Sequence, residues 1–106
     1  KCALMTDIKI LRANSMANKE VYIFSSVTCS PCRMLKPLLT DFCERFDVPL
    51  TVYDMDSARE EFIAHNVRGV PTILIVEDGK EVDRVIGHQT FSSIEELFKK
   101  WGLTNA

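Results

Sequence analysis

Apolar residues fall along this chain in two kinds of pattern. Val21-Tyr22-Ile23-Phe24 is continuous, β-branched and aromatic, and stops at Ser25-Ser26, which predicts a strand buried on both faces. From Pro31 onward the spacing changes. Leu35, Leu38, Leu39, Phe42, Cys43 and Phe46 recur at steps of three and four, marking one face of a helix. Pro37 lies inside that pattern, where a missing amide donor predicts a kink, and Val48-Pro49 closes the element. Residues 50–55 read as a second buried strand. Asp56 or Ser57 then caps a helix, Ser57 standing at capping-box distance from Glu60, with Phe62 and Ile63 turned toward the core. After Val70-Pro71, two β-rich runs at 72–76 and 81–86 flank Asp78-Gly79, the signal of a tight turn between antiparallel neighbours. The last helix is expected to open at Ser92 or Ser93, to carry Ile94, Leu97, Phe98 and Trp101 on one face, and to stop at Gly102. A weaker strand signal lies at residues 8–11.

The order strand, helix, strand, helix, strand, strand, helix predicts an α/β protein in which a central mixed β-sheet is flanked by helices on both faces. A length of 106 residues, 46% of them hydrophobic and 26% charged, suits one domain over residues 1–106 with one core. Lys1 is no native start, and Met5 and Met16 each precede a plausible opening. Residues 1–15 are accordingly expected to be loosely ordered or partly foreign to the native chain. The formal charge of −2, from 13 basic and 15 acidic residues, comes with interspersed signs, so no basic face is offered to a nucleic-acid backbone. No apolar stretch approaches the roughly 20 residues that span a bilayer, and the chain does not begin like a signal peptide. These features predict a cytoplasmic monomer with neither membrane nor nucleic acid as a direct partner.

The candidate chemistry lies in the cysteines. Cys29 and Cys32 are close in sequence, with Ser30 and Pro31 between them, at the point where the first buried strand gives way to a helix. Three residues apart in a first helical turn, both sulfurs fall on one side. Amide donors and the positive end of the helix dipole converge there and stabilise a thiolate on Cys29. Cys32, one turn deeper, would stay protonated until it acts as the resolving thiol. The bland readings of a CxxC are two core cysteines or half a zinc site. Zinc would need two further ligands from Cys2, Cys43, His65 or His88, which form no second paired motif, so no metal is expected. Cys43 falls on the apolar face of its helix as a small core residue.

The chain from Val21 to Trp101 resembles the thioredoxin family. The resemblance rests on Val21-Tyr22-Ile23-Phe24, Cys29-Ser30-Pro31-Cys32 with Pro37 five residues on, Val67-Arg68-Gly69-Val70-Pro71-Thr72, and Gly79 and Gly87 at the family's spacings. It implies the thioredoxin fold and a thiol–disulfide oxidoreductase that reduces protein disulfides through a dithiol/disulfide cycle without a cofactor. It further implies a cis bond before Pro71, a Val70 backbone that pairs with an extended substrate segment, and Gly87 and His88 bordering the substrate groove. Disulfide-containing proteins would be substrates, and a thioredoxin-reductase-like protein the electron donor. His88 reads either as a solvated loop residue or as a cation supporting the thiolate or a substrate carboxylate.

The sequence departs from the family at several places. The family's buried aspartate before the motif corresponds to Ile23, and its companion lysine to Val52, so proton removal from Cys32 would fall to water, the leaving thiolate or a substrate group. Ser25 and Thr28 stand where tryptophans flank the site, and Ser30 where a glycine is usual, its hydroxyl either donating to the Cys29 sulfur or pointing equally to solvent. Two other functions fit the same pattern: a glutaredoxin-like or partner-dedicated redoxin, against which the lack of a Gly-Gly pair after Pro71 argues, and a binding module whose exchange chemistry is secondary.

Overall fold

The computed structural model describes residues 19–104. The expected strand at 8–11 and Cys2 lie outside the described residues. Four strands, β1 (Lys19–Ser25), β2 (Leu50–Asp54), β3 (Thr72–Glu77) and β4 (Lys80–Ile86), alternate with three helices, α1 (Ser30–Arg45), α2 (Arg59–Ala64) and α3 (Phe91–Lys100). The sheet order is β2-β1-β3-β4. β1 runs parallel to β2 and antiparallel to β3, and β3 pairs antiparallel with β4, so the sheet is mixed as the order of elements predicted.

Strand alternation explains why β1 and β3 read as continuous apolar runs. Val21, Ile23, Ile73 and Ile75 join Leu35, Leu39, Phe42 and Cys43 of α1 and Ile94, Leu97 and Phe98 of α3 in one cluster. The intervening Phe24, Leu74 and Val76 point the other way, to Phe62 of α2 and Val67. Successive side chains of a strand lie on opposite faces, so a strand covered on both sides has no position left for polar residues. Helices therefore cover both faces. On the α2 face Phe24 stacks on Tyr53 at 5.0 Å between centroids and meets Phe62 edge-on at 4.9 Å.

Asp78 and Gly79 both take positive φ, 54° and 83°, the geometry of a tight hairpin turn whose twist matches its strands. α3 ends as expected, with Gly102 at φ 70° just past Trp101.

Four expectations need correction. β2 is at an edge of the sheet among the described residues, and it is not fully buried: Val52 is 48% exposed and the other four positions are half-buried. α2 starts at Ala58 with no side-chain cap, because Asp54 closes the preceding turn by accepting from the amides of Ser57 and Ala58 and displaces the start beyond Ser57. Phe62 of this helix is buried, but Ile63 is 77% exposed; one short helix lying on a sheet buries one stripe only. At α3 the cap is Thr90, not Ser92 or Ser93: its hydroxyl accepts from the Ser93 amide and the Ser93 hydroxyl from the Thr90 amide, a reciprocal box in which serine takes the place usually held by Glu or Gln.

Two polar clamps join the elements. Arg84 of β4 holds Glu81 with two bonds of 2.6 and 2.7 Å and donates to the carbonyls of His65 (2.6 Å) and Asn66 (3.2 Å) at the end of α2. Asp83 accepts from the Trp101 indole at 2.8 Å and from Lys100 at 3.2 Å, tying the end of α3 to β4.

Candidate active site

The cysteine pair occupies the turn from β1 into α1. Cys29 is the N-cap of α1, with extended backbone, and Pro31 sits in the first turn, where its missing amide costs nothing. N-cap residues usually receive a helix amide on a side-chain oxygen. Here the acceptor is sulfur: the Cys32 amide donates to the Cys29 Sγ at 3.3 Å. That bond comes from the backbone rather than from Ser30, whose side chain is exposed and not bonded to the sulfur. The first helical turn is closed by the Arg33 amide on the Cys29 carbonyl at 3.3 Å.

The two thiols differ sharply in surroundings. Cys29 is half-buried, whereas Cys32 is fully buried. Burial, and secondarily a hydrogen bond to Cys29, push the Cys32 thiol up to about 11, while the Ser26 backbone hydrogen bond and Lys36 act in the opposite direction. Ile23, in the position the family gives an aspartate, has Ile73 and Val52 as its partners across β1. Neither strand neighbour carries a group able to take a proton. Cys43 lies in the core, where burial pushes its thiol up to about 12.

The loop between β1 and Cys29 carries a hydroxyl pair that the sequence reading missed as a unit. The Ser26 and Thr28 hydroxyls are 3.0 Å apart, and the Thr28 amide donates to the Ser26 hydroxyl at 3.3 Å. A Ser-x-Thr spacing at the end of a strand is the signal that could have shown it, since such side chains close local turns. Ser25, by contrast, is buried, and its hydroxyl has no hydrogen-bond partner.

The remaining residues singled out in the sequence lie at the start of β3 and the end of β4. Val70 is half-buried and Pro71 buried, and the bond between them is cis. The Gly87 amide donates to the Pro71 carbonyl at 2.8 Å, so the structure brings Gly87 to Pro71. Gly87 needs its φ of 93°, which a side chain would oppose. His88 is exposed and has no hydrogen bond or ion pair among the described residues. His65 stacks edge-on against Tyr22 and Phe24 on the α2 face, away from any metal set. Among the described residues no three His, Cys, Asp or Glu side chains group as metal ligands, and no helix is long and apolar enough to cross a membrane.

Comparison with known proteins gives a consistent answer. Residues 9–100 match the thioredoxin family model. The chain is 33% identical over 90 residues to a thioredoxin of Chlamydia trachomatis, covering 83% of this chain and 88% of that one. It is 36% identical over 86 residues to thioredoxin H2 of Arabidopsis thaliana, covering 79% of this chain but 62% of the plant protein. Among solved structures, thioredoxin of Fasciola hepatica superposes with a TM-score of 0.74 at 26% identity, over 92% of this chain and 93% of that one.

Proposed function

Since the chain belongs to the thioredoxin family and is a thiol–disulfide oxidoreductase, we propose that Cys29 is its attacking thiol and Cys32 its resolving thiol in the reduction of protein disulfides. The observation that supports this most is the asymmetry of the pair: a half-buried Cys29 sulfur receiving a helix amide, against a fully buried Cys32. A thiolate at the end of a helix is reactive because the donors that hold it are already oriented. In the first step the Cys29 thiolate attacks one sulfur of the substrate disulfide, forming a mixed disulfide and releasing the other sulfur as a thiolate that takes a proton from water. Cys32 then loses its proton, attacks the Cys29 sulfur and releases the second substrate thiol. The two protein thiols end oxidised and the substrate reduced.

Val70 would present its backbone to an extended substrate segment, with Gly87 and His88 at the border of the same groove. A thioredoxin-reductase-like protein would return the electrons, and the domain would work as a cytoplasmic monomer. Alkylation of the reduced, folded protein at neutral pH tests the assignment. Peptide mapping should find Cys29 labelled and Cys32 protected, and equal labelling of the two would overturn it.

A further inference from the structure

The chain leaving β1 for Cys29 and the chain entering β3 from Val70 emerge at one end of the sheet, because β1 and β3 are antiparallel neighbours with Phe24 opposite Thr72. Val70 is half-buried there, between α2 and β3, and among the described residues no hydrogen bond engages its amide or its carbonyl. Free backbone groups of this kind can take up an extended peptide as an added strand. They do so well only if they already point the right way, since ordering a loose segment on binding costs free energy.

The segment is tied on both sides of Val70. Before it, the Arg84 guanidinium holds the carbonyls of His65 and Asn66 at 2.6 and 3.2 Å. After it, the Gly87 amide donates to the Pro71 carbonyl at 2.8 Å. A further bond spans Val70 itself: the Thr72 hydroxyl donates to the Gly69 carbonyl at 2.8 Å. Pro71 has no amide to offer that carbonyl, and the backbone of Thr72 already belongs to the sheet, between Phe24 of β1 and Ile86 of β4. The hydroxyl turns back three residues, a local side-chain bond that closes the bend. Thr72 is 1% exposed, whereas Gly69 is exposed. The donor is thus anchored in the packed sheet, and the acceptor lies in the stretch that has to be held.

We infer that Thr72 is a positioning residue for the substrate: its hydroxyl, bonded to the Gly69 carbonyl across Val70, fixes the direction in which the free Val70 amide and carbonyl meet an extended peptide. The gain is preorganisation, because a bend already closed has less freedom to lose when the peptide binds. The inference rests on the reading of Val70 given above. It concerns peptide disulfides alone, since a disulfide without a backbone has nothing to pair with Val70.

A peptide whose single cysteine carries thionitrobenzoate reports the first step by colour: Cys29 of the reduced protein attacks the peptide sulfur, and thionitrobenzoate leaves as the thiolate. The same peptide N-methylated at the amides flanking its cysteine cannot donate to a neighbouring strand, and dithiobis(nitrobenzoate) has no backbone at all. The parent protein should take the plain peptide about tenfold faster than the methylated one, or about 1.4 kcal/mol in the barrier. Equal rates would overturn the reading of Val70 and the inference with it. Given that preference, Thr72→Val, matched in shape but without the donor, should lower the plain-peptide rate about tenfold, bring the two peptides near equality and leave dithiobis(nitrobenzoate) within about twofold. Thr72→Ser should keep the parent ratio. Thr72→Ala, likewise without a donor, gives the same reading should the valine variant not fold. A residue that only supports the fold would change the melting temperature and not the ratio. The parent ratio retained in Thr72→Val, an equal fall on all three disulfides, or a ratio lost in Thr72→Ser as well would overturn the inference and leave the reading of Val70 standing.

Discussion

Replacing Ile23 by aspartate would put back the carboxyl the family carries, in a place this chain has made apolar throughout. Ile23 is 0% exposed, pairs with Ile73 and Val52, and packs in the cluster shared by α1 and α3. The cost has two parts. Truncating a buried aliphatic side chain costs about 2–4 kcal/mol, and burying an ionised carboxylate without a cationic partner adds about 3–5 kcal/mol. Against a total stability of about 5–15 kcal/mol for a domain, the variant at neutral pH stands near its unfolding limit. The two parts respond differently to pH. In the unfolded chain the carboxyl titrates near about 4, and in the folded protein desolvation raises that value. Below about pH 4 both states hold the proton and only the packing cost remains. Between the two values the destabilisation grows by about 1.4 kcal/mol per pH unit, so a folded value near about 7 adds about 4 kcal/mol. Urea unfolding of the parent, Ile23→Asp and Ile23→Asn at about pH 4, 5.5 and 7 measures this, because differences from the parent cancel its own titrations. The Asn variant should show a constant loss, and the Asp variant should match it in acid and fall away from it toward neutrality. A gap between Asp and Asn that does not change with pH would mean that water reaches position 23, and would refute the dry core drawn for β1.

The clamp on α2 is pH-dependent in the opposite sense. The Arg84 guanidinium holds the Glu81 carboxyl below its ordinary range, so its contribution is present above the unfolded carboxylate range and is lost as pH falls through the folded value. Arg84→Met should cost about 2 kcal/mol at neutral pH, a figure kept low because both side chains are partly exposed, and thermal melts should show the gap narrowing in acid. Trp101 gives a second test: its indole is fixed on Asp83 at 2.8 Å, at the end of α3. A disulfide formed within the first turn of α1 needs little backbone movement, so Trp101 emission should barely change between the reduced and oxidised protein. A large change that disappears in Cys29→Ser would show that the transition is not local.

Most of the framework was legible in the sequence because its causes are local. Val21 to Phe24 and Thr72 to Val76 are apolar at every step, and only a strand covered on both faces uses such a run. The three- and four-residue steps from Leu35 to Phe46 can bury one side only as a helix. Asp78-Gly79 is a hairpin turn wherever it stands between two β-rich runs, since the two positive φ angles are a property of the dipeptide. The cysteine pair was legible for the same reason, as its spacing and its place before a helix are features of adjacent residues.

What the tertiary structure decided depends on neighbours far along the chain. How far residues 50–55 are covered follows from what packs on each face of their strand, which no window of sequence contains, and Val52 stands 48% exposed. The caps of α2 and α3 were misplaced by one to three residues because several polar side chains compete near each start. The path of the chain chooses between them: Asp54 closes the turn before α2, and Thr90 with Ser93 forms the box of α3. Arg84 reaches carbonyls 18 and 19 residues away, a pairing invisible until the hairpin lies beside α2. At the site, the sequence could place two thiols on one helical turn. The position in the helix already set Cys32 deeper than Cys29, but that it is buried completely was decided by the packed structure, because burial is a property of what closes around a residue and not of the cysteine itself.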